Sequence, residues 1–277
     1  MGTLEVPKAL ADRVRTLWGE DGGHWLAILP DLAARCMEAW ELDTPVVCDA
    51  LSVSLVVFVR SHRHGEAVLK IGFPHREMET GLAALARFPA TWSCRVFEAD
   101  PTHCAVLLER IRPGDSLDRE PDFAKRLRAV SGLLRHLPVP LAAEDETIFP
   151  AYECQLQNQL LRAREHLSAP GLRDRSASAR LATGLAQAER LHGDIHNGSR
   201  PRSLLHGDLR HENILRAGRA GQAGDQAWKA IDPQGWAGEA VLDLNPMLNG
   251  ALIPLAAIIG GAGAVIGRRL VGGLRKV

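Results

Sequence analysis

The sequence predicts an α+β protein with two lobes, the first small and rich in β-strands and the second mainly helical. Residues 55–60 and 67–71 are apolar, β-branched runs separated by a polar turn, which is typical of a β-hairpin. After Pro113, apolar residues instead recur every three or four positions, the period of an amphipathic helix. The change of period near residues 109–115 therefore predicts a division into residues 1–111 and residues 112–277.

The composition excludes several classes of protein. The chain has 277 residues, of which 46% are hydrophobic and 24% charged, as in ordinary globular proteins. Lys plus Arg number 33 and Asp plus Glu also number 33, so no net field attracts nucleic acid or an acidic membrane surface. The five cysteines are scattered without a C-x-x-C pair, which indicates thiols in a reducing compartment. Charged residues interrupt the apolar positions of the first thirty residues, so we expect no secretory leader and a cytoplasmic protein.

The end of the sequence leaves two readings open. From Gly250 to Gly267 no residue is charged, and basic residues follow, which fits a short membrane span with a basic flank. Pro254 and several glycines make the same stretch a poor helix, so a buried, glycine-rich terminal segment fits as well. Nothing in the sequence indicates an oligomeric state.

The first lobe is predicted to contain two helical regions and two pairs of strands. Residues 1–40 have helical periodicity, with a break expected at Gly22 and Gly23. The hairpin of residues 55–71 follows. A short helix then places apolar residues on one face, and two strands come after it, joined by a turn at Asp100 and Pro101. The apolar face comprises Met78, Leu82, Leu85 and Phe88, and the two strands span residues 93–97 and 104–108.

The second lobe is predicted to contain three helices and one short hairpin. The first helix ends at Pro138, and the other two span residues 152–166 and 178–193. The hairpin joins residues 213–215 to residues 227–231 through a glycine-rich connection. The apolar stripe of the first helix comprises Phe123, Leu127, Val130, Leu134 and Leu137.

The chemistry is concentrated in a polar loop between apolar flanks. Residues 204–215 read LLHGDLRHENIL, with Asp208 five positions before Asn213, and Asp232 follows an apolar strand in AIDPQG. Phosphoryl transfer needs a carboxylate that orients the attacking hydroxyl and oxygen ligands for magnesium. The spacing H-x-D-x-x-x-x-N followed by a metal-binding Asp is that of a kinase catalytic loop. Taken alone, Asp208 and Asn213 also fit a loop in which both side chains cap turns.

A second HGD occurs at residues 192–194, and it fits this chemistry less well. Five residues beyond Asp194 stands Ser199, a hydroxyl where the loop needs an amide oxygen, and no strand-end Asp follows. We interpret this second HGD as the end of a helix.

Further motifs occur in the order expected of one family. AVLKIG contains Lys70, EMETGLAAL contains Glu79, and LLERIRPGDSL spans the boundary between the lobes. Together with HGDLRHENIL and AIDPQG, these motifs resemble the aminoglycoside phosphotransferases, in particular the branch of streptomycin and hydroxyurea resistance kinases. The resemblance covers about residues 10 to 245 and implies a protein-kinase-like fold, whose first lobe binds the nucleotide.

The resemblance also implies roles for single residues. Asp208 would be the catalytic base, Asn213 and Asp232 the magnesium ligands, and Lys70 with Glu79 the pair that positions the phosphates. The supporting residues would be His206 and Asp243, which hold the loop and the segment after it, and Glu109 and Ile111, whose backbone groups bind adenine. From the sequence alone, Lys70 also fits the solvent face of an edge strand, and Glu77 competes with Glu79.

The implied activity is an ATP- and Mg²⁺-dependent transfer of phosphate to a hydroxyl of an aminoglycoside such as streptomycin, which confers resistance. The sequence departs from the family in three places. The segment CDALSVS lacks glycine where the family covers the phosphates, Arg210 stands where many relatives have His, and the chain ends soon after Asp243. A kinase of another small hydroxylated metabolite and a truncated, non-catalytic nucleotide-binding protein therefore remain open.

Overall fold

The computed structural model describes residues 4–48, 53–168, 202–218 and 227–244, together with the single positions 183, 186 and 190. Five features named above fall wholly or partly outside the described residues, apart from those single positions. They are residues 49–52 of CDALSVS, the helix predicted for residues 178–193, the second HGD, residues 219–226 of the glycine-rich connection and the apolar stretch from Gly250 to Gly267.

Within the described part of the chain, no helix combines the length and the apolar character needed to cross a membrane.

Helix α1 (Lys8–Ala39) bends at Gly19, whose φ of 54° and ψ of −126° are non-helical. The break expected at Gly22 and Gly23 is wrong, since both lie inside the helix. The reason is packing: a Cβ on Gly22 would lie 2.7 Å from the carbonyl oxygen of Val14, so glycine is needed there for close contact rather than for a break. The buried face of α1 packs on the first sheet.

The first sheet has the strand order β1-β2-β3-β5-β4, and all neighbours are antiparallel. The predicted hairpin is confirmed, with Val56 opposite Lys70. Helix α2 (Arg76–Leu85) follows the hairpin, as predicted. Strand β1 was not predicted, because Thr44 and Pro45 interrupt its apolar pattern. The strands are β1 (Leu42–Val47), β2 (Ser54–Ser61), β3 (Gly65–Gly72), β4 (Val96–Asp100) and β5 (Ala105–Glu109).

The second part of the chain contains helices α3 (Phe123–His136) and α4 (Tyr152–Ser168) and two three-stranded sheets. One sheet has the order β10-β9-β6 and contains the predicted second hairpin; the other has the order β11-β8-β7. The strands are β6 (Pro113–Ser116), β7 (Val139–Pro140), β8 (Ser203–Leu205), β9 (Ile214–Ala217), β10 (Trp228–Ala230) and β11 (Trp236–Gly238).

The apolar stripe predicted for α3 is only partly buried. Val130, Leu134 and Leu137 belong to the core, but Phe123 is 69% exposed and Leu127 is 41% exposed. The first turn of the helix therefore projects beyond the core. Its amino end is instead stabilised by Asp122, whose carboxylate accepts hydrogen bonds from two backbone N–H groups of that turn.

Direct contacts join the first sheet to strand β10 and the segment after it. The N–H of Cys94 donates to the carbonyl of Ala230 at 3.1 Å, and the N–H of Ala230 donates to the carbonyl of Trp92 at 2.8 Å. Lys229 Nζ lies 2.7 and 2.9 Å from the two carboxylate oxygens of Glu109. These bonds fix the position of Asp232 relative to strand β3. The division at residues 111 and 112 stays a prediction.

Candidate active site

A cleft of about 700 Å³ lies between the first sheet and strands β9 and β10. One end is an apolar slot, and the other is polar. The slot is lined by Val56, Val68, Leu108, Ile111, Leu215 and Ile231. The polar end is lined by Lys70, Glu77, Asp208, Arg210, Asn213 and Asp232. Most of the residues singled out from the sequence therefore line one cavity, although they come from distant parts of the chain.

The loop that follows β8 is shaped by Gly207. Its φ is +81°, a left-handed conformation that costs little only for glycine. A Cβ at this position would overlap the indole ring of Trp236 and lie 2.9 Å from its Nε1. Trp236 is held in place, because its Nε1–H donates to Gln234 Oε1 at 3.0 Å. The backbone therefore turns tightly under the indole before it reaches Asp208.

The carboxylate of Asp243 holds the same turn through hydrogen bonds to its backbone. Its carboxylate accepts the N–H of His206 at 2.8 Å and the N–H of Gly207 at 2.7 Å, and only 1% of the residue is exposed. Burial raises the pKa of Asp243 to about 6, and the two N–H donors act in the opposite direction. Asp243 is therefore ionised at neutral pH, and it satisfies two buried donors that have no access to water.

His206 links the loop to the strand that leads to Asp232. The N–H of Asp208 can only donate, so His206 Nδ1 is the acceptor of that bond, at 3.3 Å. The proton is therefore on Nε2, which donates to the carbonyl of Ile231 at 2.9 Å. Burial lowers the pKa of His206 to about 4, which keeps the ring neutral. The structure thus places His206 and Asp243 where they brace the loop.

Asp208 and Asn213 are brought together by a short 3₁₀ turn. Asn213 Nδ2 donates to the backbone carbonyl of Asp208 and to its Oδ2, both at 2.9 Å. Arg210 binds the same carboxylate with two nitrogens: Nε lies 2.8 Å from Oδ1, and Nη2 lies 2.9 Å from Oδ2. Burial raises the pKa of Asp208 above its usual value, although Arg210 and Asn213 oppose the shift.

Lys70 pairs with Asp232 across the cleft, with Nζ 2.8 Å from Oδ1. Burial acts to raise the pKa of Asp232, but the positive groups around it, Lys70 foremost and Arg210 among them, hold that pKa below the usual range. Asp232 has a φ of 57°, a conformation uncommon outside glycine and typical of functional sites.

The resemblance implies that Lys70 pairs with Glu79, whereas in the structure Lys70 pairs with Asp232. Glu79 is exposed on α2 and does not line the cleft, whereas Glu77 does. Residues two positions apart on a helix point to nearly opposite sides, which fits the presence of only Glu77 at the cleft. The role implied for Glu79 stays a prediction.

Glu109 and Ile111 both line the cleft. The carboxylate of Glu109 binds Lys229 and accepts the N–H of Arg95 at 3.0 Å, while Ile111 is 8% exposed and forms part of the apolar slot. The role expected for their backbone groups stays a prediction. Lys229 was not singled out from the sequence, because a lysine in a short strand carries no signal of a partner 120 positions away.

Among the residues with described positions, no group of three or more His, Cys, Asp or Glu side chains could hold a metal ion by itself. The polar end of the cleft nevertheless contains two side-chain oxygen atoms that are available to bind a metal ion. Asn213 uses its Nδ2 on Asp208 and Asp232 uses its Oδ1 on Lys70. Within the described ranges no group donates a hydrogen bond to Asn213 Oδ1 or Asp232 Oδ2.

Replacing Gly207 by alanine is expected to cost at least about 2 kcal/mol of unfolding free energy, because the left-handed backbone and the overlap with Trp236 both oppose the methyl group. Gly65→Ala is the matched control. Gly65 has a φ of +77°, but nothing lies within 4 Å of an added Cβ, so only the backbone cost of about 1–2 kcal/mol applies. Urea unfolding of both variants measures the difference. Equal losses would show that the loop does not pack on Trp236 as described.

The likeness to solved structures shows the fold. The structure is similar to the crystal structure of a macrolide 2'-phosphotransferase from Brachybacterium faecium, with a TM-score of 0.51 and 18% sequence identity over 90% of this chain and 88% of that chain. The two-lobed, protein-kinase-like α+β fold predicted from the sequence is confirmed.

Two curated relatives add sequence similarity. A streptomycin 6-kinase of Streptomyces griseus is 29% identical over 246 residues, which cover 89% of this chain and 75% of the relative. A hydroxyurea phosphotransferase of Kitasatospora aureofaciens is 28% identical over 247 residues, which cover 88% of this chain and 68% of the relative.

Fold and relatives together define a kinase, a phosphotransferase that acts on hydroxyl groups. The chain belongs to the aminoglycoside/hydroxyurea antibiotic resistance kinase family, whose sequence model matches residues 39–252. The predicted family and enzyme class are confirmed.

Proposed function

We propose that the protein transfers the γ-phosphoryl group of ATP, with Mg²⁺, to a hydroxyl of an aminoglycoside similar to streptomycin, and so confers resistance. The observation that carries the proposal is the meeting of Asp208, Asn213, Lys70 and Asp232 at the polar end of one cleft. The substrates of such a reaction, ATP and an antibiotic that acts on the ribosome, meet in the cytoplasm, so we place the reaction there.

The lining of the cleft favours one orientation of the nucleotide. The apolar slot near Glu109 and Ile111 is suited to an adenine ring, and Lys70 at the other end is suited to phosphates. Ser54, which is 8% exposed, lines the cleft together with Cys48 and Val53, the other described residues of CDALSVS. The triphosphate then points toward Asp208.

The donors at the polar end fit magnesium. Mg²⁺ prefers hard oxygen ligands and usually keeps several waters, with one or two protein oxygens and substrate phosphates completing the set. Asn213 Oδ1 and Asp232 Oδ2 are oxygens of this kind. A bound Mg²⁺ would supply positive charge to the β- and γ-phosphates. Lys70, already paired with Asp232, would add a second positive charge beside them.

Asp208 is placed to act on the acceptor. Its carboxylate would accept a hydrogen bond from the attacking hydroxyl and take the proton as the new O–P bond forms. Burial raises the pKa of Asp208, which strengthens it as a base. Because the transition state of phosphoryl transfer requires little covalent chemistry from the protein, positioning and charge stabilisation account for most of the rate.

The cleft as a whole is nearly neutral, with six acidic and five basic side chains in its lining, but three exposed carboxylates are suited to a cationic acceptor. Glu77, Asp115 and Glu212 are exposed acidic residues that line the cleft in addition to the residues already named. Aminoglycosides carry positive groups that such carboxylates attract. A second candidate is a neutral hydroxylated acceptor such as hydroxyurea, because one relative at 28% identity is named a hydroxyurea phosphotransferase.

The test is ADP release by the purified chain with ATP and Mg²⁺, measured with streptomycin, a small aminoglycoside panel and hydroxyurea. The proposal predicts release that depends on an aminoglycoside. Release with hydroxyurea alone would favour the second candidate. Measurable ATP binding without release for any acceptor would contradict both and indicate a non-catalytic nucleotide-binding protein.

A further inference from the structure

We infer that Arg210 is a further catalytic residue, which leaves Asp208 when the nucleotide binds and holds the transferring phosphoryl group. The inference rests on the proposed function, since it assigns a role within that phosphoryl transfer. It starts from an obstacle at the proposed base that the geometry of the loop creates.

Both oxygens of the Asp208 carboxylate are engaged. Oδ1 is 2.8 Å from Arg210 Nε, and Oδ2 accepts both Arg210 Nη2 and Asn213 Nδ2 at 2.9 Å. A carboxylate has about four lone-pair sites, and these three bonds leave one of them, on Oδ1, for an acceptor hydroxyl. Departure of Arg210 frees two more sites, so Asp208 is a more accessible base once Arg210 has moved away.

Arg210 is free to make this movement. Its side chain is 49% exposed, against 22% for Asp208, and it lines the same cleft. The pair is two residues apart on one loop, so a rotation of the arginine side chain is enough to separate them. Asn213, by contrast, is 9% exposed and also bound to the backbone of the loop, so it stays with Asp208.

The γ-phosphate is the anion that would draw Arg210 away. A guanidinium has five donors in a planar fork that matches phosphate oxygens, and it binds them as well as it binds a carboxylate.

The other cations of the cleft are engaged elsewhere. Lys70 is already paired with Asp232 on the far side of the polar end. Arg110 and Arg112 are occupied away from Asp208, by Phe58 and Glu66. Arg119 lines the cleft too, but it forms no ion pair with Asp208. Arg210 is thus the cation placed next to the reacting groups.

The exchange links substrate binding to activation of the base. The acceptor oxygen attacks the γ-phosphorus, the bond from that phosphorus to the bridging oxygen breaks, and the bridging oxygen leaves on ADP with the electron pair. The acceptor proton passes to Asp208. Arg210 hydrogen-bonds the γ-phosphoryl oxygens throughout and neither gains nor loses a proton. Without bound triphosphate, Asp208 remains paired.

The experiment compares Arg210→Ala and Arg210→Lys with the native enzyme, and Arg63→Ala is the matched control. Arg63 is 47% exposed and paired with Glu41 and Glu98, but it lies in the turn between β2 and β3, outside the cleft. We expect Arg210→Ala to lower kcat on the order of 10²- to 10³-fold and to raise KM for ATP as well, because Arg210 holds the γ-phosphoryl group from nucleotide binding onward. Free guanidinium ions should restore part of that activity, and Arg63→Ala should behave as the native enzyme.

A binding measurement makes the test independent of the acceptor. The native chain should bind ADP with beryllium fluoride, which mimics the γ-phosphoryl group, more tightly than ADP alone. Arg210→Ala should lose this preference and keep native affinity for ADP and native thermal stability. If no acceptor is phosphorylated but the preference disappears in Arg210→Ala, the proposed function fails, while the contact of Arg210 with the γ-phosphoryl group stands.

Three results would overturn the inference. An unchanged preference for ADP with beryllium fluoride would show that Arg210 does not reach the phosphoryl group. A kcat equal to or above the native value would show that Arg210 only restrains Asp208. A parallel loss of ADP affinity and thermal stability in both Arg210 variants, without rescue by guanidinium, would show a structural role only.

Discussion

Asp208→Asn is expected to lower kcat by about 10²- to 10⁴-fold, the usual contribution of a general base, and to leave the affinity for ADP close to native. Asparagine has the same size and keeps an oxygen toward Asn213, but it cannot take the acceptor proton. Adenine and the phosphates are expected to contact other parts of the cleft, so binding of the nucleotide should survive. Steady-state kinetics and calorimetric titration with ADP measure the two quantities.

Asp145→Asn is the control for the loss of an ion-paired carboxylate. Asp145 is 15% exposed at its side chain, pairs with Arg87 and accepts the N–H of Ala142, so its surroundings resemble those of Asp208. It does not line the cleft, and its variant should turn over at a native rate. Near-native turnover by Asp208→Asn, or an equal loss in both variants, would remove Asp208 from the role of base.

Asp243→Asn is expected to destabilise the protein by about 1–3 kcal/mol and to lower turnover as well. The amide can accept only one of the two bonds that Asp243 now accepts from His206 and Gly207, and its NH₂ group would face the other N–H. One buried donor is then unsatisfied in the turn that precedes Asp208. Urea unfolding gives the stability, and kcat measured under conditions where the variant is folded gives the effect on the loop.

Asp122→Asn is the matched control, because Asp122 also accepts two backbone N–H groups, those of Ala124 and Lys125. It caps α3 at the surface, and both bonds end on one oxygen, Oδ1, which Asn retains, so the loss should be below about 0.5 kcal/mol. If both variants lose the same free energy, the bonds to the two separate oxygens of Asp243 do not matter and its support of the loop is refuted.

The sequence predicts well what is decided locally. The hairpin of β2 and β3 follows from alternation, and the contact of Asp208 with Asn213 follows from five residues of one loop. Lys70 and Asp232, which form an ion pair, are 162 positions apart in the sequence. The sequence assigns them to one site only because both would take part in phosphoryl transfer. Their direct pairing could not be predicted from spacing.

The predictions that failed depended on tertiary packing. Gly19, Gly22 and Gly23 are equivalent as helix breakers in the sequence; Gly22 differs by its close contact with Val14, and the bend lies at Gly19. The position of Glu77 rather than Glu79 at the cleft follows from how α2 packs, and the role implied for Glu79 stays a prediction. Phe123 fits the apolar stripe of α3 by spacing, but the core ends before it, and spacing carries no information about where a core ends.

The measurement that tests the account most directly is binding of ATP to the native chain by calorimetry, with Mg²⁺ and with EDTA, next to Asp232→Asn. If Asn213 and Asp232 hold the cation that joins the triphosphate to the cleft, Mg²⁺ should tighten binding of ATP by the native chain, and this tightening should be absent in Asp232→Asn. Equal affinity with Mg²⁺ and with EDTA in the native chain, or full tightening in the variant, would contradict the assignment of the site.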